Sequence, residues 1–91
     1  MGGEYNMKII YHGRVQGVGF RYFTKQLARK YNIKGCVKNK FDGTVELIIN
    51  EQSSNINTFL EEIKKGNGFM RIEDIEKYEY ESNAVEFKVK Y

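Results

Sequence analysis

Within 91 residues the spacing of apolar side chains changes about six times between a two-residue and a helical period, so the chain must alternate short strands with short helices. Residues Met7 to Val15 are rich in β-branched and aromatic types and lead into Gly13, Gly17 and Gly19, which predicts a first strand running into a glycine-rich loop. From Phe20 the period turns helical. Phe20, Phe23, Leu27 and Tyr31 form one stripe, Lys25, Gln26, Arg29 and Lys30 fill the other face, and the helix ends near Asn32. Two strands follow, Lys34 to Asn39 and Thr44 to Asn50, with Asp42-Gly43 between them as a hairpin turn signal. Ser53 and Ser54 are positioned to cap a second helix, in which Ile56, Phe59, Leu60 and Ile63 share a face and Gly66 marks the stop. Ile72 to Glu81 reads as a strand, and Val85, Phe87, Val89 and Tyr91 alternate with charged residues in a last one.

The order is therefore βαββαβ with a short extra C-terminal strand. It predicts an α+β, two-layer sandwich: a mainly antiparallel sheet with two helices on one face and its other face partly open to water. No repeat, low-complexity tract or linker divides it, so residues 1–91 are expected to form a single domain. A chain of this size buries roughly 60 to 70% of its extended surface in one modest core, which leaves function to the surface or to one tight loop.

Composition removes several chemistries. Cys36 is the only cysteine and His12 the only histidine, so neither an internal disulfide nor a typical zinc site is available. Cys36 is most simply a small apolar filler or a partly exposed strand residue, and Tyr5, Tyr11, Tyr78 and Tyr80 suggest a stacking surface but in strands are more often packed or edge aromatics. No apolar run suits a membrane span or signal peptide, and no myristoylation signal opens the chain, so a cytoplasmic location is expected. The net charge of +3 favours encounter with small anions but falls short of the dense basic stripe of a nucleic-acid binder.

One segment stands apart. Gly13-Arg14-Val15-Gln16-Gly17-Val18-Gly19-Phe20-Arg21 is a strand feeding through glycines into a helix N-terminus, where successive N–H groups can curl around an anion with the helix dipole behind them. Arg21 would stand at the rim of that nest, with Arg14 a second cation nearby. The segment lacks the Gly-Lys-Ser/Thr ending of a nucleoside-triphosphate loop, and Tyr22 stands where a dinucleotide loop needs glycine. Taken alone it serves equally as a connector, and Arg21 as a solvated arginine. A cation at a helix N-terminus is nonetheless misplaced unless an anion balances it. In a split βαβ arrangement the first two strands run parallel with another between them, so the glycine loop and Asn39 emerge along one sheet edge, roughly 10 Å apart. Taken alone, Asn39 reads as a polar strand end shaping the turn toward Asp42-Gly43.

The glycine segment, followed by Gly35-Cys36-Val37-Lys38-Asn39-Lys40-Phe41-Asp42-Gly43-Thr44-Val45-Glu46, resembles both signature segments of the acylphosphatase family, and the similarity extends over nearly the whole chain. The resemblance implies a ferredoxin-like fold and hydrolysis of the carboxyl-phosphate bond of acyl phosphates to carboxylate and inorganic phosphate. By the same resemblance, Arg21 binds the phosphoryl group, Asn39 positions the attacking water, and the backbone of Val15, Gln16, Gly17, Val18, Gly19 and Phe20 cradles the phosphate. No cofactor or metal is implied, the partner is a small-molecule acyl phosphate, and the expected state is a monomer without nucleic acid or membrane. The chain departs from the family pattern at Cys36, where tryptophan is common, and at Gly66-Asn67-Gly68-Phe69, which lacks the prolines often found there; both bear on loop rigidity and substrate preference.

Asn39 cannot accept a proton at neutral pH, and His12 falls in a strand where a structural role is expected. Little activation of water is needed, because the leaving carboxylate is a weak base and phosphoryl transfer is loose and largely dissociative. Two rivals share the βαββαβ order. An RNA-recognition module is one, since Gly17, Gly19, Phe20 and Phe23 mimic part of its octamer; but Gln16, Val18 and Arg21 do not fit, and the segment follows the first strand instead of lying in the third. The other is a catalytically silent acylphosphatase-like domain of the kind that opens larger carbamoyl-transferring maturation proteins.

Overall fold

The alternating periods are realised as five strands and two helices: β1 (Tyr5–Arg14), α1 (Phe20–Tyr31), β2 (Gly35–Asn39), β3 (Val45–Asn50), α2 (Ile56–Lys65), β4 (Arg71–Glu81) and β5 (Phe87–Lys90). The structure, a computed structural model, describes residues 5–50, 55–81 and 87–90. Each predicted element is present, with ends within two residues of expectation where they are described; Ser53, Ser54, Val85 and Tyr91 lie outside the described residues.

The sheet runs in the order β4-β1-β3-β2-β5. β3 is antiparallel to both β1 and β2, β4 is antiparallel to β1, and β5 is parallel to β2. Hence β1 and β2 run the same way with β3 between them, as the split βαβ order requires. The fold is ferredoxin-like α+β.

Alternation sorts the strand side chains. Ile9 and Tyr11 of β1, Val37 of β2, and Val45, Leu47 and Ile49 of β3 are buried against the helices. Lys8, Ile10 and His12, one step out of phase in β1, lie on the open face at intermediate exposure. From α1 come Phe20, Leu27 and Ala28, and from α2 come Phe59 and Ile63, both fully buried. Phe23, Tyr31, Ile56 and Leu60 cover the edges of this core.

Helix ends follow local chemistry. Asn32 adopts a left-handed conformation, φ 56°, and its N–H donates to the carbonyls of Ala28 and Arg29, closing α1 where the apolar stripe ends. Gly66, φ 79°, closes α2 with a hydrogen bond to the Ile63 carbonyl. Asn55 precedes α2 without a side-chain cap bond.

Candidate active site

Between β1 and α1 the chain is pinned at both ends by the core. Val15 and Phe20 are each only 1% exposed, and the Phe20 ring lies 5.0 Å from that of Tyr11. The residues between them must turn tightly. Gly17 and Gly19 take φ of 71° and 80°, whereas Gln16 and Val18 keep negative φ, Asn32 being the one non-glycine with positive φ among the described residues. Alternating handedness turns successive N–H groups toward one side, the geometry of an anion nest. A β-carbon at either glycine would strain the left-handed backbone by about 1–2 kcal/mol.

Gly19 is also the residue on which α1 begins. No side chain caps this end, and no acidic residue stands in the first turn, so the amides there keep no carboxylate of their own. Instead the first helical turn carries Arg21, and Lys25 follows one turn later on the same face.

Asn39 reaches the same place from the far side of β3. Exposure along β2 alternates, with Gly35 and Val37 buried and Lys38 exposed, so Asn39 shares the helix-covered face with Val37 at the point where the core runs out. A cavity of about 240 Å³ lies here. Val15, Gly17, Gly19 and Phe20 of the loop line it, together with Arg21, Tyr22 and Lys25 of α1 and Asn39 of β2.

Of the predicted cradle, Val15, Gly17, Gly19 and Phe20 meet Arg21 and Asn39 around this cavity. Gln16 and Val18 do other work. The Gln16 side-chain amide donates to the carbonyls of Lys40 (2.6 Å) and Thr44 (2.8 Å), tying the glycine loop to the β2–β3 hairpin that carries Asn39. The Val18 side chain packs against the core, and its carbonyl accepts a 3.0 Å bond from Asn67 Nδ2. Within the hairpin, Asp42 Oδ1 accepts from the Thr44 hydroxyl (2.6 Å) and backbone N–H (3.0 Å), and the hydroxyl bond first, the amide second, hold the Asp42 carboxyl below its ordinary range.

Arg14, predicted as a second cation nearby, is exposed opposite Arg71 of β4 and does not line the cavity. A register shift between His12 and Gly13 separates this strand end from the regular ladder. His12 is a structural residue on the open face, bonded to the Glu76 carboxylate. Glu76 also accepts from the Tyr78 hydroxyl, and that bond first and His12 second keep its carboxyl low. Tyr11 is buried, and burial pushes its phenol above the ordinary range, so it is a neutral core residue.

Sequence reasoning missed Tyr22 and Lys25 in the lining and the side-chain roles of Gln16 and Asn67. The step of four from Arg21 was a usable signal for Lys25. Nothing local marks Asn67, which lies 49 positions from its partner. Among the described residues no group of three or more His, Cys, Asp or Glu could hold a metal ion, and no helix is long and apolar enough to cross a membrane.

Comparison with known proteins bears on the family and the fold. The acylphosphatase family model matches residues 7–89. An acylphosphatase of Clostridium acetobutylicum is 47% identical over 90 residues, covering 97% of each chain. The crystal structure of an acylphosphatase from Bacillus subtilis superposes with a TM-score of 0.86 at 38% identity, over 96% of this chain and 99% of the other. HypF of T. kodakarensis also matches, with a TM-score of 0.84 and 32% identity over 94% of this chain, but over only 12% of its own length.

Proposed function

Given that the chain belongs to the acylphosphatase family and carries its activity, hydrolysis of acyl phosphates, we propose that the 15–20 backbone and Arg21 hold the phosphoryl group while Asn39 holds the attacking water. One observation carries this reading: two segments 18 residues apart, the glycine loop with Arg21 and the end of β2 with Asn39, line one cavity at an uncapped helix N-terminus.

The chemistry follows from what each group can do. Backbone N–H groups and the guanidinium are hydrogen-bond donors, so they match the equatorial oxygens of the transferring group. Arg21 can take two of those oxygens at once, and charge-assisted bonds of this kind contribute about 1.5–3 kcal/mol each. The carboxamide of Asn39 both donates and accepts, which fixes a water without deprotonating it.

As the water oxygen bonds to phosphorus, the bond from phosphorus to the carboxyl oxygen breaks and its electron pair leaves on the carboxylate. The water's proton passes to a phosphoryl oxygen of the substrate, giving carboxylate and inorganic phosphate. Because the leaving group is a weak base, positioning and charge stabilisation supply the rate. We read the enzyme as a cytoplasmic monomer, with its single cysteine, Cys36, half-buried and free.

Release of phosphate from benzoyl phosphate, with inorganic phosphate as competitor, tests the binding half. Arg21→Ala should weaken phosphate inhibition by about tenfold or more, one charge-assisted bond or its equivalent. Parent-like inhibition in that variant would remove Arg21 from the site. A second reading, a domain that keeps the cradle without turnover, is separated by the same assay: phosphate binds but no acyl phosphate is consumed.

A further inference from the structure

We infer that Asn67 is a positioning residue for the phosphate cradle, acting through the Val18–Gly19 peptide; this rests on the reading of the cradle given above. Asn67 Nδ2 donates to the Val18 carbonyl at 3.0 Å. Peptide bonds in the described chain contain no cis linkage, so the Gly19 N–H is directed opposite to the Val18 carbonyl. Anchoring the oxygen on Asn67 therefore aims the Gly19 N–H away from Asn67, and Gly19 lines the cavity.

The aim needs holding. Gly19, φ 80°, has no β-carbon to resist rotation of that peptide, and a flipped peptide would turn a carbonyl dipole toward the phosphoryl oxygens in place of a donor. A β-carbon built on Gly19 would lie 3.5 Å from Asn67 Nδ2, so Asn67 faces the side of Gly19 on which a side chain would stand.

Asn67 is itself fixed. Its Oδ1 accepts from the N–H groups of Phe69 (2.9 Å) and Met70 (3.2 Å), and the Met70 side chain packs against the core. The carboxamide thus uses its acceptor to shape its own loop and its donor to hold another. Only a side chain with both can do so, and aspartate keeps the acceptor alone.

Asn67→Asp and Asn67→Ala separate the two uses. The readouts are the inhibition constant of inorganic phosphate, kcat and KM for benzoyl phosphate, the thermal midpoint, and the Gly19 amide resonance during phosphate titration. Both variants should weaken phosphate inhibition about tenfold, and the Gly19 amide should lose its phosphate-dependent shift. The alanine variant carries no charge, so its loss cannot be repulsion, while the aspartate variant should keep a parent-like thermal midpoint.

A parent-like aspartate variant, with the alanine variant altered only in thermal midpoint, would make Asn67 a loop-shaping residue and overturn the inference. Parent-like phosphate inhibition in both would overturn it too. Arg21→Ala run alongside distinguishes the failures: if it loses phosphate inhibition while both Asn67 variants keep it, the cradle stands and only Asn67's role falls.

Discussion

Thr24 is fully buried one turn into α1, and its hydroxyl oxygen has no hydrogen-bond partner in the structure. A buried hydroxyl without a partner costs about 1–3 kcal/mol in lost hydration, and valine has nearly the same shape without that debt. Thr24→Val should therefore leave stability unchanged or raise it by about 1 kcal/mol, read as a shift of the urea midpoint at constant slope; a loss of that size would show that the hydroxyl has a role. Charge decides matters at Arg21 and Lys25. On the proposed reading, a phosphoryl group at the uncapped amides would offset the charge that Arg21 places in the first turn of α1 and Lys25 places beyond it.

Among the elements, the β2–β3 hairpin has the most to do, because it carries Asn39 and receives the Gln16 amide. Its turn is braced by Asp42, whose carboxyl is held low by Thr44. A carboxyl depressed in the folded state stabilises above its unfolded pKa, and that contribution disappears as pH falls through the folded value. The thermal midpoint of Asp42→Ala should therefore lie below the parent's at neutral pH, with the gap closing as pH drops below about 3.9. A gap that stays constant down to pH 2 would contradict it. The helices and strands were legible in the sequence because burial period is a local property: Phe20 to Tyr31 and the alternation through Val45, Leu47 and Ile49 announce themselves residue by residue. The pairings of His12 with Glu76 and of Val18 with Asn67 were not, since each depends on how strands and loops distant in sequence come into register. The register shift after His12 was not legible either, since no spacing rule reports it.

At the scale of the molecule, the site exists because of strand order. β3 inserts between β1 and β2, makes them parallel, and so delivers the glycine loop and Asn39 to one edge of the sheet. That much followed from the βαββαβ order, and the shared fold of the Bacillus subtilis acylphosphatase agrees with it. A chain bearing a net charge of +3 also favours encounter with anionic substrate before any specific contact forms. The most direct test of the whole account is single-turnover hydrolysis of benzoyl phosphate by Asn39→Ala, with phosphate inhibition measured on the same sample. Holding the water on β2 and the phosphoryl group on the loop predicts a fall in turnover of about 10²-fold or more with phosphate inhibition nearly unchanged, whereas turnover at the parent's rate would contradict it.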